Sequence, residues 1–357
     1  MYDVIIIGAG QAGIVMSYQL KLKGIDNHLI IDAQKRIGDP WRSRYKSLVL
    51  FTTKSYSALP GMQIKGDPNS YPTKNEMADY LEDYVSYFDL PHRMNTLVTR
   101  IEKENDTFNI FTEKEQFQSR RVIVASGAFQ KPYIPPVIKS ENINTLVSHV
   151  HSSLYTEPKE LNKGTTLIVG GGNSGSQIAV ELSKDREVVL AISHKLKFLP
   201  LEIFRKSIFH WLEKLQLLYA GTDTIRGRIF QKRNDPIFGK ELKQAIKSKD
   251  VKVRPRVTEV AGKKVTFSDG SSLEVNQIIW ATGFVPAYEM IHIDGAIDKK
   301  GKPIHNRGIS PIDGLYYIGL PWQHSRGSAL VCGVGRDAMF LTDIILNYRN
   351  LDSKTSI

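Results

Sequence analysis

Two glycine-rich loops carry the chemistry that this sequence prepares. Gly8-Ala9-Gly10-Gln11-Ala12-Gly13 follows the β-branched run Tyr2-Asp3-Val4-Ile5-Ile6-Ile7, and Gly170-Gly171-Gly172-Asn173-Ser174-Gly175 follows Thr165-Thr166-Leu167-Ile168-Val169. Both have G-x-G-x-x-G spacing between a buried strand and a helix. The first glycine makes the tight turn, the second lets the backbone approach a pyrophosphate, and the third lets helix and strand pack closely. A helix that starts there presents free N–H groups and a partial positive charge, which suits phosphate. The pattern predicts two dinucleotide sites in one chain.

The two units differ where ribose is read. The strand His28-Leu29-Ile30-Ile31 ends at Asp32, nineteen residues past Gly13. A carboxylate there accepts hydrogen bonds from a ribose hydroxyl. The equivalent strand of the second unit ends at Ser193-His194-Lys195, with Lys197 beyond. Cationic groups in that place suit a 2′-phosphate, so the second site leans towards NADPH, with NADH also admitted because no arginine stands there.

The elements that must position these loops follow in order. A helix is expected from Gln11 to Lys23, stopped at Gly24. Ile37 to Thr53 and Tyr56 to Gly61 are rich in Trp, Tyr and Arg without regular periodicity, and are expected to wall a pocket as loops. Thr73 and Glu76 form a capping box for a helix that reaches Phe88. Strands are expected at 97–101, 108–111 and 121–125, the last closing on Ser126-Gly127. The second unit repeats the plan: a helix through Lys184, a strand at 187–192, strands at 251–253 and 264–267, and a strand at 277–280 closing on Ala281-Thr282-Gly283. Phe204, Ile208, Trp211, Leu212, Leu215 and Leu218 fall near helical spacing and are expected to form core or a homodimer contact. A last helix is expected from Val334 to Tyr348, with a frayed tail after Asn350.

At 357 residues the chain can hold two packed domains. The formal charge of +11 comes from scattered basic residues, and no helix-turn-helix, zinc-finger or RNA-binding signature accompanies it, so nucleic acid is not expected as a partner. No apolar run is long enough to span a bilayer, and the first strand begins at residue 2, so the expected location is cytoplasmic. Cys332 is the one cysteine, which excludes an internal dithiol; beside Leu330 and Val331 it reads as a packing residue. His149, His151 and His324 are scattered and read as hydrogen-bonding residues, so no metal site is expected.

Together these residues resemble the flavin-containing monooxygenases, and more closely the bacterial group of flavoproteins associated with cation efflux. The resemblance rests on both glycine loops, Ile37–Leu50 with Tyr56–Gly61, His151-Ser152-Ser153-Leu154-Tyr155, Ala281–Phe284 and Gly319–Asp337. It implies an α/β fold with two Rossmann-like domains, as in flavin monooxygenases and disulfide reductases: an FAD-binding domain at 1–162 and 285–357, with an NAD(P)H-binding domain inserted at 163–284. FAD is expected on Gly8, Gly10, Gln11, Ala12, Gly13, Asp32, Ala33, Trp41, Arg42, Thr52, Val98, Ala125, Gly127, Gln323 and Gly335, with Thr53 and Gln323 at the flavin edge as catalytic candidates. NAD(P)H is expected on Gly170, Gly172, Asn173, Ser174, Gly175, Ser193, His194, Lys195, Ala281, Thr282 and Gly283.

The activity implied is that of an NAD(P)H-dependent monooxygenase. It would form a C4a-hydroperoxyflavin with molecular oxygen and oxygenate a small sulfide, amine or ketone. Thr52-Thr53 stands where many members have an asparagine, and Thr145 and Val147 stand where a Phe-x-Gly is usual. Two alternatives stay open: a flavin oxidase or reductase that releases peroxide or feeds a partner, and a flavoprotein accessory to metal-ion transport.

Overall fold

A computed structural model describes residues 1–138, 147–233 and 235–355; Thr145 lies outside the described residues. The chain opens with β1 (Tyr2–Ile7), α1 (Gln11–Leu22) and β2 (His28–Ile31). Lys23 and Gly24 end α1 by donating backbone N–H groups to carbonyls of its last turn. The expected capping box is present at α2 (Lys74–Tyr87), where the Thr73 hydroxyl accepts from the Glu76 N–H and the Glu76 side chain accepts from the Thr73 N–H. β3 (His92–Arg93), β4 (Val98–Glu104), β5 (Thr107–Thr112) and β6 (Gln116–Val124) complete this part.

β7 (Ser148–His151), β8 (Thr166–Val169), α3 (Asn173–Leu182), β9 (Val188–Ala191), α4 (Ile208–Lys214), β10 (Val251–Arg254) and β11 (Gln277–Trp280) build the second sheet and its surroundings. The chain then returns through β12 (Leu315–Tyr317) to α5 (Val331–Thr355).

Two parallel cores result. In the first sheet the order is β3-β2-β1-β6-β5-β4, and β12 also pairs with β6. β1 pairs in parallel with β2 and β6, and β12 runs parallel to β6, so the last strand closes the sheet opened by the first. In the second sheet the order is β10-β9-β8-β11-β7, all parallel. Strands covered on both faces must be apolar throughout, and Val4, Ile5, Ile6, Ile278, Ile279 and Trp280 are fully buried. Ile14, Val15, Val334, Ala338 and Leu341 join α1 and α5 in one core beneath the first glycine loop.

Three readings change, and one strand crosses the expected domain boundary. β7 lies before residue 163, yet it pairs with β11 in the second sheet. Its Val150 packs against that sheet's core, which makes it part of that layer. The loops at 37–61 contain single helical turns at Asp39–Arg42 and Lys54–Ser57. The 204–218 stretch is not one helix. Phe204 lies in the left-handed turn of a small hairpin, exposed, and only Ile208–Lys214 is helical, so Ile208, Phe209, Leu212 and Leu218 form the core contact. Finally, α5 begins at Val331, three residues before the expected start, and continues to Thr355. Among the described residues no helix is long and apolar enough to cross a membrane.

Candidate functional site

The carboxyl ends of the parallel strands open on a cavity of about 890 Å³. Gly8, Gly10, Gln11, Ala12, Asp32, Ala33, Val98, Ala125 and Gly127 line it from the first unit, and Asn173 and Ser174 from the second. Residues expected at two separate dinucleotide sites therefore border one space. This is where an open α/β sheet places ligands.

The two loops have matching geometry, and it explains each glycine. Gly8 and Gly170 both adopt φ of +114°, and a Cβ would lie 2.5 Å from the Ala125 carbonyl oxygen in one case and 2.3 Å from that of Ala281 in the other. At Gly13 and Gly175 a Cβ would lie 1.8 and 2.1 Å from the carbonyl oxygens of Gly8 and Gly170. These four glycines are required by close backbone packing. Gly10 and Gly172 differ: a Cβ on either would meet nothing within 4 Å. Open space above a helix N-terminus is what a pyrophosphate needs, so both cradles fit dinucleotides on steric grounds.

Asp32, expected at a ribose, has a structural role in the loop. Its Oδ2 accepts from the Ala9 N–H at 2.6 Å and its Oδ1 from the Gln34 N–H at 2.7 Å, so the carboxylate also holds the glycine loop in place. In the second unit the Asn173 side chain is used structurally, donating to Pro236 O and accepting from the Phe238 N–H. These two bonds fix the orientation of the side chain at the start of α3. Ser193, His194 and Lys195 are exposed at the end of β9, and Lys195 has no ion-pair partner among the described residues. The Thr282 hydroxyl donates to Tyr133 O, and His151 bonds Gly283 O at 3.0 Å and Ser153 Oγ at 2.8 Å. Burial pushes the His151 pKa down. His151 thus fixes the turn after β11 through hydrogen bonds, as its sequence setting suggested.

Several expected contacts fall elsewhere. The Arg42 guanidinium donates to Asp79 Oδ1 at 2.8 Å, Glu82 Oε2 at 2.5 Å and Ile37 O at 2.6 Å. These bonds tie the loop to α2 and take the charge that a phosphate would have used. Trp41 packs against the first core, and Gly335 lets α5 approach Pro60. Neither lines the cavity, and nor does Thr52, whose hydroxyl pairs with that of Ser57 at 2.7 Å. Thr53 faces a separate polar pocket of about 410 Å³ with His210, Glu213 and Cys332. Gln323 faces another of about 310 Å³ with Arg307 and His324. The catalytic candidates therefore flank the large cavity.

The cavity also brings in residues that the glycine-loop pattern does not assign to a site. Arg326 Nη1 lies 2.8 Å from Asp235 Oδ1, and the pair spans from the C-terminal loop to the second unit. Trp322, in a left-handed conformation with φ of +58°, borders both the large cavity and the 310 Å³ pocket. Arg44 lines the cavity as well. Nothing in local spacing separates Arg44 from Arg42. The distinction comes from α2, which supplies the carboxylates.

Beside the cavity, Asp337 is buried in α5 with Oδ2 unpaired, and burial raises its pKa. The Cys332 thiol is pushed up to about 12 by burial, so it is a protonated packing group at neutral pH.

Residues 5–200 match the family described as pyridine nucleotide-disulphide oxidoreductase. A Geobacillus kaustophilus protein described as an uncharacterized CzcO-like oxidoreductase is 51% identical, over 97% of this chain and 99% of its own length. The probable indole-3-pyruvate monooxygenase YUCCA1 of Arabidopsis thaliana is 28% identical, over 92% of this chain and 87% of its own. Among solved structures, a flavin-containing monooxygenase from Stenotrophomonas maltophilia has the same fold, with a TM-score of 0.79, 24% identity, and coverage of 98% and 99% of the two chains.

Proposed function

The chain belongs to the pyridine nucleotide-disulphide oxidoreductase family, and on that premise we propose that it is an FAD-dependent, NAD(P)H-consuming monooxygenase. The observation that carries this reading is the single cavity bordered by both glycine loops. Hydride transfer between two bound cofactors needs both reactive ends in one space that water does not fill. The lone cysteine supports an electron path that uses no internal dithiol. The monooxygenase descriptions of the Arabidopsis relative and the Stenotrophomonas structure support oxygen transfer as the outcome.

On this reading FAD lies along Gly8–Ala12, Asp32, Ala33, Val98, Ala125 and Gly127, and the nicotinamide dinucleotide along Gly172–Ser174 and Ala281–Gly283, with Lys195 at its 2′-phosphate. Bound there, FAD supplies the hydride acceptor and the centre that activates oxygen. The chain supplies binding and exclusion. The N-termini of α1 and α3 meet the phosphates, Asp32 locks the first loop, and Phe51, Ala329 and Leu330 give the cavity an apolar wall. The proposed FAD unit is 1–162 with 285–357 and the nicotinamide unit 163–284, with β7 crossing into the second sheet. The proposed substrate is a small sulfide, amine or ketone, and the proposed setting is the cytoplasm, where NADPH is supplied.

The test is a balance sheet. NADPH oxidised, oxygenated product formed and hydrogen peroxide released are measured together across sulfides, amines and ketones. Product matching NADPH supports the monooxygenase. Peroxide matching NADPH with every substrate refutes it and favours an oxidase, which the threonine pair at 52–53 would suit.

A further inference from the structure

We propose that Arg44 receives the pyrophosphate of the nicotinamide dinucleotide, a role that rests on the reading of the second glycine loop as the NAD(P)H cradle. Arg44 borders the large cavity together with Asn173 and Ser174 at the N-terminus of α3. Its place there is fixed by its neighbour: the Tyr45 hydroxyl donates to Gln177 Oε1, one turn into α3, at 2.6 Å. The Arg44 backbone is also held, with its carbonyl accepting from Lys74 Nζ. The segment is therefore pinned against the helix whose N–H groups would meet the same phosphates.

The charge on Arg44 has no internal answer. Among the described residues no carboxylate lies within ion-pair distance of it, whereas Arg42 is neutralised by Asp79 and Glu82 and Arg326 by Asp235. Its guanidinium carbon lies 5.2 Å from the Phe129 ring centroid and 5.5 Å from that of Phe284. The rings come from the two different units, and they hold the guanidinium without satisfying its N–H donors. Burial pushes its pKa down, which marks a cation that has lost water and gained no counter-charge. A planar donor fork that borders the same cavity as a helix N-terminus is suited to a bidentate phosphate contact.

The test uses FAD-loaded protein and NADP⁺ as the probe, with affinity read by calorimetry and flavin content by absorbance. Arg44→Met is expected to weaken NADP⁺ binding about ten- to hundredfold, the range for losing a charged hydrogen bond, while flavin content and thermal midpoint hold. Arg44→Lys is expected to recover part of the loss. Unchanged NADP⁺ affinity in Arg44→Met overturns the assignment. So does loss of FAD with NADP⁺ affinity retained, which would move the contact to the flavin pyrophosphate. If the parent protein binds neither NADP⁺ nor NADH, the reading of the second loop falls, and this assignment with it.

Discussion

The Tyr45 hydroxyl donates a 2.6 Å hydrogen bond to Gln177 Oε1, and with that bond a loop of the first unit is docked on the glycine-loop helix of the second. Gln177 returns a bond from Nε2 to Val49 O at 3.2 Å. The loop around Tyr45 and Val49 is thus tied to the helix that opens at the second cradle. Tyr45→Phe leaves the ring in its core and removes only the donor. The expected cost is about 1 kcal/mol, read as a fall in thermal midpoint of about 2 °C. NADP⁺ affinity should fall with it while FAD remains bound. An unchanged midpoint would show that the bond is exchanged with water at no cost.

Gly170→Ala should separate the two cofactors. The new methyl would sit 2.3 Å from the Ala281 carbonyl oxygen, at a φ that L-residues avoid. The strain is about 1–3 kcal/mol before the clash is counted, and relieving it displaces the turn between β8 and α3. Calorimetry should show NADP⁺ binding lost and flavin absorbance retained. Gly8→Ala should show the reverse order of loss, with flavin released first.

Lys195→Ala tests which nicotinamide cofactor is preferred. Lys195 is exposed at the end of β9 and carries no ion pair among the described residues, so its removal leaves the fold intact. The Michaelis constant for NADPH should rise about tenfold, the worth of one charged contact, and that for NADH should stay level. Equal changes for both would mean that Lys195 does not read the 2′-phosphate.

The capping box makes an acid-sensitive joint. Lys54 Nζ donates to Glu76 Oε1 at 2.6 Å and the Thr73 N–H to Oε2 at 2.9 Å, and these bonds hold the Glu76 carboxyl down from 4.5 to about 2. The folded value lies below the unfolded one, so the stabilisation is present above pH 4.5 and is lost as pH falls towards 2. The Glu76 side chain is 44% exposed, and after solvent screening the pair is worth about 1 kcal/mol. Glu76→Gln should lower the thermal midpoint at pH 7 and flatten its dependence on pH across that acid range. Parallel midpoint curves for both proteins would rule this pair out as the source.

Cys332 should resist alkylation. With its thiol pushed up to about 12, the folded protein should react with iodoacetamide at pH 7.5 far more slowly than the denatured chain. Rapid labelling in the native state would show that the thiol is reached through the 410 Å³ pocket that Cys332 lines.

Much of this molecule is written locally. A glycine loop is legible because its steric demands act within a few residues: Gly13 must pass Gly8, and Gly175 must pass Gly170. The capping box joins Thr73 to Glu76 within one turn, and the repeated closing turns at Ala125 and Ala281 are visible as matching sequence. Side-chain roles in the loops are not local. Arg42 and Arg44 look alike in sequence, and carboxylates about forty residues further on decide that one is a brace and the other faces the cavity. Thr53 and Gln323 face separate pockets, one walled by His210, Glu213 and Cys332, all far from Thr53 in sequence, and the other by Arg307 and His324. The sequence by itself determined that two matching glycine-loop cradles exist, because backbone sterics and helix N-termini depend on near neighbours. Only the tertiary structure decided that both cradles border one cavity and which charges are left free within it, because burial and ion pairing depend on what the rest of the chain brings alongside.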